Sequence, residues 1–199
     1  MSSSQLKYLY LFCTSSGNKA SVSILNRLSK SLDKGSDFDS ESEFLIIPES
    51  GALSFCESHN MKTYSGVIYL DLCGYGDSIV FTIKGKKSAF ERFINDKAQY
   101  VKYLPEDENV IMFRKFRVPV LSLAIVPRWD VQYLKALASF GDGLLGRPPE
   151  FDMILSQMEV SGKTQEENPQ AMNQVYDYLL ESITKPEITH KNFIRRLFS

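Results

Sequence analysis

The sequence predicts an α+β fold: a mixed or mainly antiparallel sheet, in the order roughly β-α-β-β-β-α-β-β, with a helical C-terminal third. Three observations predict it. The apolar run Tyr8 to Phe12 breaks at a polar, glycine-containing turn and is followed by apolar spacing of helical period. Strand-like runs adjacent in sequence dominate the middle, which disfavours a doubly wound parallel sheet. After Pro127 the composition changes, with helix-like segments separated by Gly141-Asp142-Gly143 and Arg147-Pro148-Pro149. The reading divides the chain into a sheet domain, 1–127, and a helical portion, 128–199, packed on it as one structural unit.

Tyr8 to Phe12, aromatic and aliphatic, reads as a buried strand. From Ala20, the residues Val22, Ile24, Leu25, Leu28 and Leu32 mark one helical face. Lys34 to Ser42 is a polar, acidic loop, and Phe44 to Ile47 is a short strand stopped by Pro48. This first strand–helix–strand unit is compatible with a right-handed parallel crossover. Ser50 to Asn60 is ambiguous. Thr63 to Leu72 and Ser78 to Lys84, joined through Cys73-Gly74-Tyr75-Gly76-Asp77, suggest a hairpin.

Ser88 to about Leu104 predicts a helix ended by Pro105. Val110 to Phe116 and Val118 to Val126 read as two further strands, one of them edge, bulged or bent because of Pro119. Beyond Pro127, a helix capped by Asp130, helices over Phe151 to Val160 and Pro169 to Ile183, and a short amphipathic tail from Glu187 complete the pattern.

Composition bounds the function. With 199 residues, 43% of them hydrophobic and 24% charged, the chain can bury a core without metal or disulfide staples. A formal net charge of −1 disfavours a general polyanion binder. Charge is uneven: Asp33 to Glu49 is acidic, while Lys84 to Arg117 and the last nine residues lean basic. Cys13, Cys56 and Cys73 are odd in number and widely spaced, which favours a reducing compartment. The N-terminal apolar stretch is too short for a signal peptide, and no run approaches the roughly 18 apolar residues of a membrane span. The expected location is cytoplasmic, or nuclear.

Few motifs carry chemistry. Cys13-Thr14-Ser15-Ser16-Gly17-Asn18-Lys19 sits where a phosphate loop would sit, but has one glycine and a displaced lysine, and no arginine follows until Arg27. A capped turn is the expected role, with Ser15, Ser16, Gly17, Asn18 and Lys19 as the alternative ligand set. Cys73 to Asp77 holds a Gly-x-Gly without the third glycine and following helix of a dinucleotide site. His59 and His190 lie in unrelated contexts, and Cys56 with His59 has no second ligand pair, so neither a metal nor a cofactor is expected.

Basic residues interleaved with aromatics are the stronger signal. Arg114, Lys115 and Arg117 alternate with Phe113 and Phe116, a pattern suited to nucleic acid or to a charge-protected edge. Phe193, Arg195, Arg196 and Phe198 make the tail basic and amphipathic, suited to a partner groove or an anionic membrane surface. Trp129 is a candidate interface anchor. These eight residues form the expected partner-binding set. The sequence therefore predicts a non-enzymatic interaction or assembly subunit that self-associates or binds a protein partner. Such a scaffold would touch membrane or nucleic acid through its basic segments, as a viral structural or accessory protein does. The alternative is a phosphate- or nucleotide-binding enzyme using the first loop.

Overall fold

The computed structural model describes residues 8–32, 40–72, 76–102, 104, 106–126, 131 and 168–184. The fold is α+β. Its six-stranded mixed sheet has the order β2-β1-β3-β6-β4-β5. The strands are β1 (Tyr8–Ser15), β2 (Ser40–Ile47), β3 (Gly66–Asp71), β4 (Ser78–Lys84), β5 (Gln99–Tyr100) and β6 (Val120–Val126). The helices are α1 (Lys19–Leu32), α2 (Ala52–Ser58), α3 (Glu108–Lys115) and α4 (Pro169–Thr184). Short 3-10 segments run over Met61–Thr63 and Lys87–Phe93.

β1 is parallel to both neighbours, pairing Phe12 with Phe44 of β2 and Cys13 with Tyr69 of β3. A strand so placed is covered on both faces, which is why consecutive residues Tyr10, Leu11, Phe12 and Cys13 are all apolar and buried. One core gathers Tyr10, Phe12, Ile68, Leu70 and Phe81 beneath α1, α4 and the 87–93 segment. The opposite core joins Leu11, Cys13, Val67 and Tyr69 to Ala52 and Cys56 of α2 and Val110 and Phe113 of α3. Thus the β1–α1–β2 connection crosses one face and the β2–α2–β3 connection the other.

Several elements depart from the sequence expectation. β3 and β4 do not form a hairpin: β6 lies between them, parallel to β3 and antiparallel to β4. A glycine-containing loop signals a reversal, but β6, arriving from far along the chain, pairs with both strands and separates them. β6 is accordingly interior, and Pro119 precedes it, its carbonyl accepting from Val67 N at 2.9 Å.

Residues 110–116, expected as a strand, belong to α3. Asp107 caps that helix by accepting from Asn109 N at 2.8 Å, and Val110 and Phe113 are buried at helical spacing. Arg114 and Lys115 lie in its last turn, favourable to the helix dipole. The predicted helix from Ser88 is only the 3-10 segment, kinked at Phe90 and followed by a turn where Asn95 Oδ1 accepts from Lys97 N at 2.9 Å. Burying Phe90 and Phe93 three residues apart suits the tighter winding. The ambiguous 50–60 stretch supplies α2. Apart from Val131, the readings between 127 and 167, and those of the tail from 185, lie outside the described residues.

α4, expected over 169–183, is present and clamps the first core. Tyr178 Oη donates to Phe93 O at 2.5 Å, and Arg27 of α1 donates to Asn173 at 3.0 Å while stacking on Tyr176. Its cap, Asn168, also donates to Gly76 O at 2.8 Å, which ties the helix to the loop after β3.

Gly66 makes the tightest approach in the sheet: a Cβ there would lie 2.6 Å from the buried Phe90 ring. Gly66→Ala should cost about 1–3 kcal/mol in urea denaturation. Adding Phe90→Leu should recover part of that loss. Unchanged stability of the single variant would contradict this packing.

Candidate functional site

Where a central parallel strand sends its crossovers to opposite faces, the carboxyl ends of the adjacent strands splay apart and leave a crevice. Here that crevice lies between the ends of β1 and β3, at Ser15 and Asp71. The first turn of α1 and its cap border it. Asn18 Oδ1 accepts from Ser21 N at 3.0 Å, and Asn18 Nδ2 donates to Asp71 Oδ1 at 3.2 Å. Buried Ser21 accepts from Leu72 N at 2.8 Å, and Thr14 Oγ1 donates to Leu70 O at 2.8 Å. The backbone carrying Asp71 is therefore fixed on both sides of that residue.

A second carboxylate comes from the start of α3. Asp107 shares with Asp71 the lining of a small recess completed by Tyr69, Leu104, Val110, Ser122, Leu123 and Ala124. Protein crowds the Asp71 carboxyl on most sides although it keeps solvent access. That crowding, and then the like charge of Asp107, push Asp71 above the ordinary carboxylate range against the opposing Asn18 hydrogen bond. Burial, with a smaller contribution from Asp107, also pushes the Cys13 thiol and the Tyr69 phenol up, so both are neutral at physiological pH. Burial raises the Cys56 thiol to about 11. Neither thiol is poised as a nucleophile.

Asn109 connects the parts. Its Oδ1 accepts from Ala52 N at 2.9 Å, its Nδ2 donates to Tyr69 Oη at 3.4 Å, and its own N–H holds Asp107. Ser50 donates to Glu108, joining the starts of α2 and α3 a second time. One buried amide thus relates both helix N-termini to β3.

The predicted ligand loop is present but closed by its own contacts. Ser16 N donates to Ile47 O at 2.6 Å, Asn18 N to Ser15 O at 3.1 Å and Gly17 N to Ser15 Oγ at 3.4 Å. Lys19 is exposed, and Glu49 Oε1 would stand 3.7 Å from a Cβ at Gly17, placing negative charge over the loop. Of this set, Asn18 reaches the crevice through Asp71.

Arg114, Lys115 and Arg117 are exposed on α3 and the turn after it, not on a strand. Arg114 pairs with Glu106, which also bonds Lys84 at 3.1 Å, and Arg117 has a positive φ of 61°. Trp129, Phe193, Arg195, Arg196 and Phe198 lie outside the described residues. Among the described residues, no group of three or more His, Cys, Asp or Glu could hold a metal ion, and no helix is long and apolar enough to cross a membrane. The sequence reading missed Asp71, Asp107, Tyr69 and Asn109. The available signals were an aspartate closing the apolar run 67–70 and the Asp-x-Asn start at 107.

No protein-family model and no curated protein matches the chain. Its fold is similar to that of a solved structure titled "putative peptidase" from Clostridium acetobutylicum, with a TM-score of 0.60 and 16% identity, over 94% of this chain and 46% of that one. The chain thus spans less than half the length of that protein. Two N-acetylmuramoyl-L-alanine amidase structures align more loosely. That from Clostridium difficile has a TM-score of 0.40 and 9% identity, covering 89% of this chain and 95% of its own. The catalytic domain of CwlV from Bacillus (Paenibacillus) polymyxa var. colistinus has 0.38 and 9%, covering 88% and 96%. The likeness to the first structure, whose architecture occurs in a peptidase-titled protein, corrects the expectation of a non-enzymatic assembly subunit, while the phosphate-loop alternative is countered by the loop's own closing hydrogen bonds.

Two stability measurements test the network. Asn109→Ala leaves the buried Ala52 N–H without its acceptor and should cost about 1–3 kcal/mol, against a few tenths for the exposed Lys115→Ala. Because Asp71 holds its proton more tightly folded than unfolded, its ionisation weakens the fold as pH rises through the raised value. Asp71→Asn should therefore raise the thermal midpoint at neutral pH. A lowered midpoint would contradict the crowding of that carboxyl.

Proposed function

We propose that the chain is a hydrolase domain that cleaves an amide bond at the carboxyl edge of β1 and β3. Asp71 is the base that activates water, and Asp107 is the neighbouring charge that tunes it. The observation that carries the reading is the pair of carboxylates lining one recess beside the end of β3, with Asp71 raised above its ordinary range. The fold likeness to one peptidase-titled structure supports it at the level of architecture.

In this reading the ionised Asp71 carboxylate takes a proton from water as the water oxygen bonds to the amide carbonyl carbon. The proton passes to the leaving nitrogen as the C–N bond breaks, giving an acid and an amine. A carboxylate with a raised pKa is, once ionised, a stronger base than an ordinary one. Asn18, bonded to Asp71 Oδ1, orients the group.

Amine release from a panel of peptide amides by the purified chain tests the proposal. Asp71→Asn should lower kcat/KM by about 10²-fold or more. Asp107→Asn removes the like charge that raises Asp71, so the acidic limb of the pH–rate profile should move to lower pH. No hydrolysis across the panel, or an Asp71→Asn variant as active as the native chain, would overturn the proposal.

A further inference from the structure

The recess beside the carboxylates has a definite shape and chemistry. The β3–β6 register pairs Tyr69 with Ser122 and Asp71 with Ala124. Directly paired residues of parallel strands project from the same face, so these four side chains form a two-by-two patch. It lies on the face covered by α2 and α3. Val110 of α3, with Leu104 and Asp107 from the preceding connection, closes over the patch, and Leu123 borders it between Ser122 and Ala124, its side chain in the opposite core. What remains is about 20 Å³ of free space, room for a single water-sized group.

The lining divides by chemistry. Leu104, Val110 and Ala124 are apolar, whereas Asp71, Asp107 and the Ser122 hydroxyl stand on the polar side. Tyr69 Oη is already hydrogen-bonded to Asn109 and does not call for a polar guest. A group entering past Asp71 thus meets aliphatic carbon in a space the size of a methyl. Val110 is buried, and Ala124 is held within the β4–β6 ladder opposite Val80.

We propose that this recess is the side-chain pocket of the candidate site and admits nothing larger than a methyl group, so that the residue beside the scissile amide is alanine or glycine. The inference rests on the hydrolytic reading for its substrate class, but its size rule follows from the recess alone. Rejecting a larger aliphatic side chain here is a matter of steric excess, and discrimination by a few methylenes is worth about 10–200-fold.

The test is a methyl NMR titration of the full chain with N-acetyl-L-alanine amide, N-acetylglycine amide and N-acetyl-L-leucine amide. The alanine compound should shift the Ala124 and Leu104 methyl resonances, and the leucine compound should bind at least about 10-fold more weakly. Ala124→Val, which fills the recess, should abolish the response to the alanine compound and keep that to the glycine compound. Leu104→Ala, which enlarges it, should admit the leucine compound and serves if the valine variant does not fold. Equal or tighter binding of the leucine compound, or no shift of those methyls with any compound, would overturn the pocket. Hydrolysis followed in parallel separates the two ideas. Selective binding without cleavage leaves the pocket and sinks the hydrolytic reading, whereas cleavage without size selection does the reverse.

Discussion

The structure depends on β1 lying between two strands that run parallel to it. Such a strand cannot present a wet face, so its residues must be apolar on both sides, and Tyr10 to Cys13 are. Parallel neighbours also require crossover connections. Those to β2 and β3 leave in opposite directions, and the cores place α1 on one face and α2 on the other. The crevice between β1 and β3 follows from that divergence. So does the placement of Asn18 and Ser21 at its border, since both belong to the start of the first crossover helix.

The same edge collects negative charge. Asp71 closes β3, Asp107 caps α3, and Glu49 stands over the loop after β1. Gathering carboxylates in a crowded crevice opposes folding, and the raised Asp71 is the mark of that cost. Compensation is local: Asn18 donates to Asp71, and the Asn109 amide group ties both helix N-termini to β3. A stability-only design would remove one of the acids. Keeping both at a switch point agrees with the hydrolytic reading proposed above.

Much of the fold was legible in the sequence. β1, α1 and α4 were readable because each is long and has an unambiguous period, continuous apolar for the first and helical for the others. The α+β class and mixed sheet followed. α3 was not, because a run such as Val110 to Phe113 is apolar at every residue and fits either period. Its cap, Asp107, was the deciding signal. The supposed hairpin failed for a different reason: nothing local in 63–84 reveals that β6 will intervene. The site was hidden by the same non-locality. Asp71 is one aspartate at a strand end until the fold brings Asp107 beside it, and the sequence places the two far apart. The conspicuous basic residues Arg114 and Lys84 are instead joined through Glu106.

Asp71 and Asp107 line one recess at the end of β3 and act on each other there. Carboxyl carbon NMR titration of Asp71, in the native chain and in Asp107→Asn, tests this interaction most directly. Asp71 should titrate above the ordinary aspartate range and move down when Asp107 is neutralised. An Asp71 that titrates in the ordinary range, and does not respond to the loss of Asp107, would contradict the interaction.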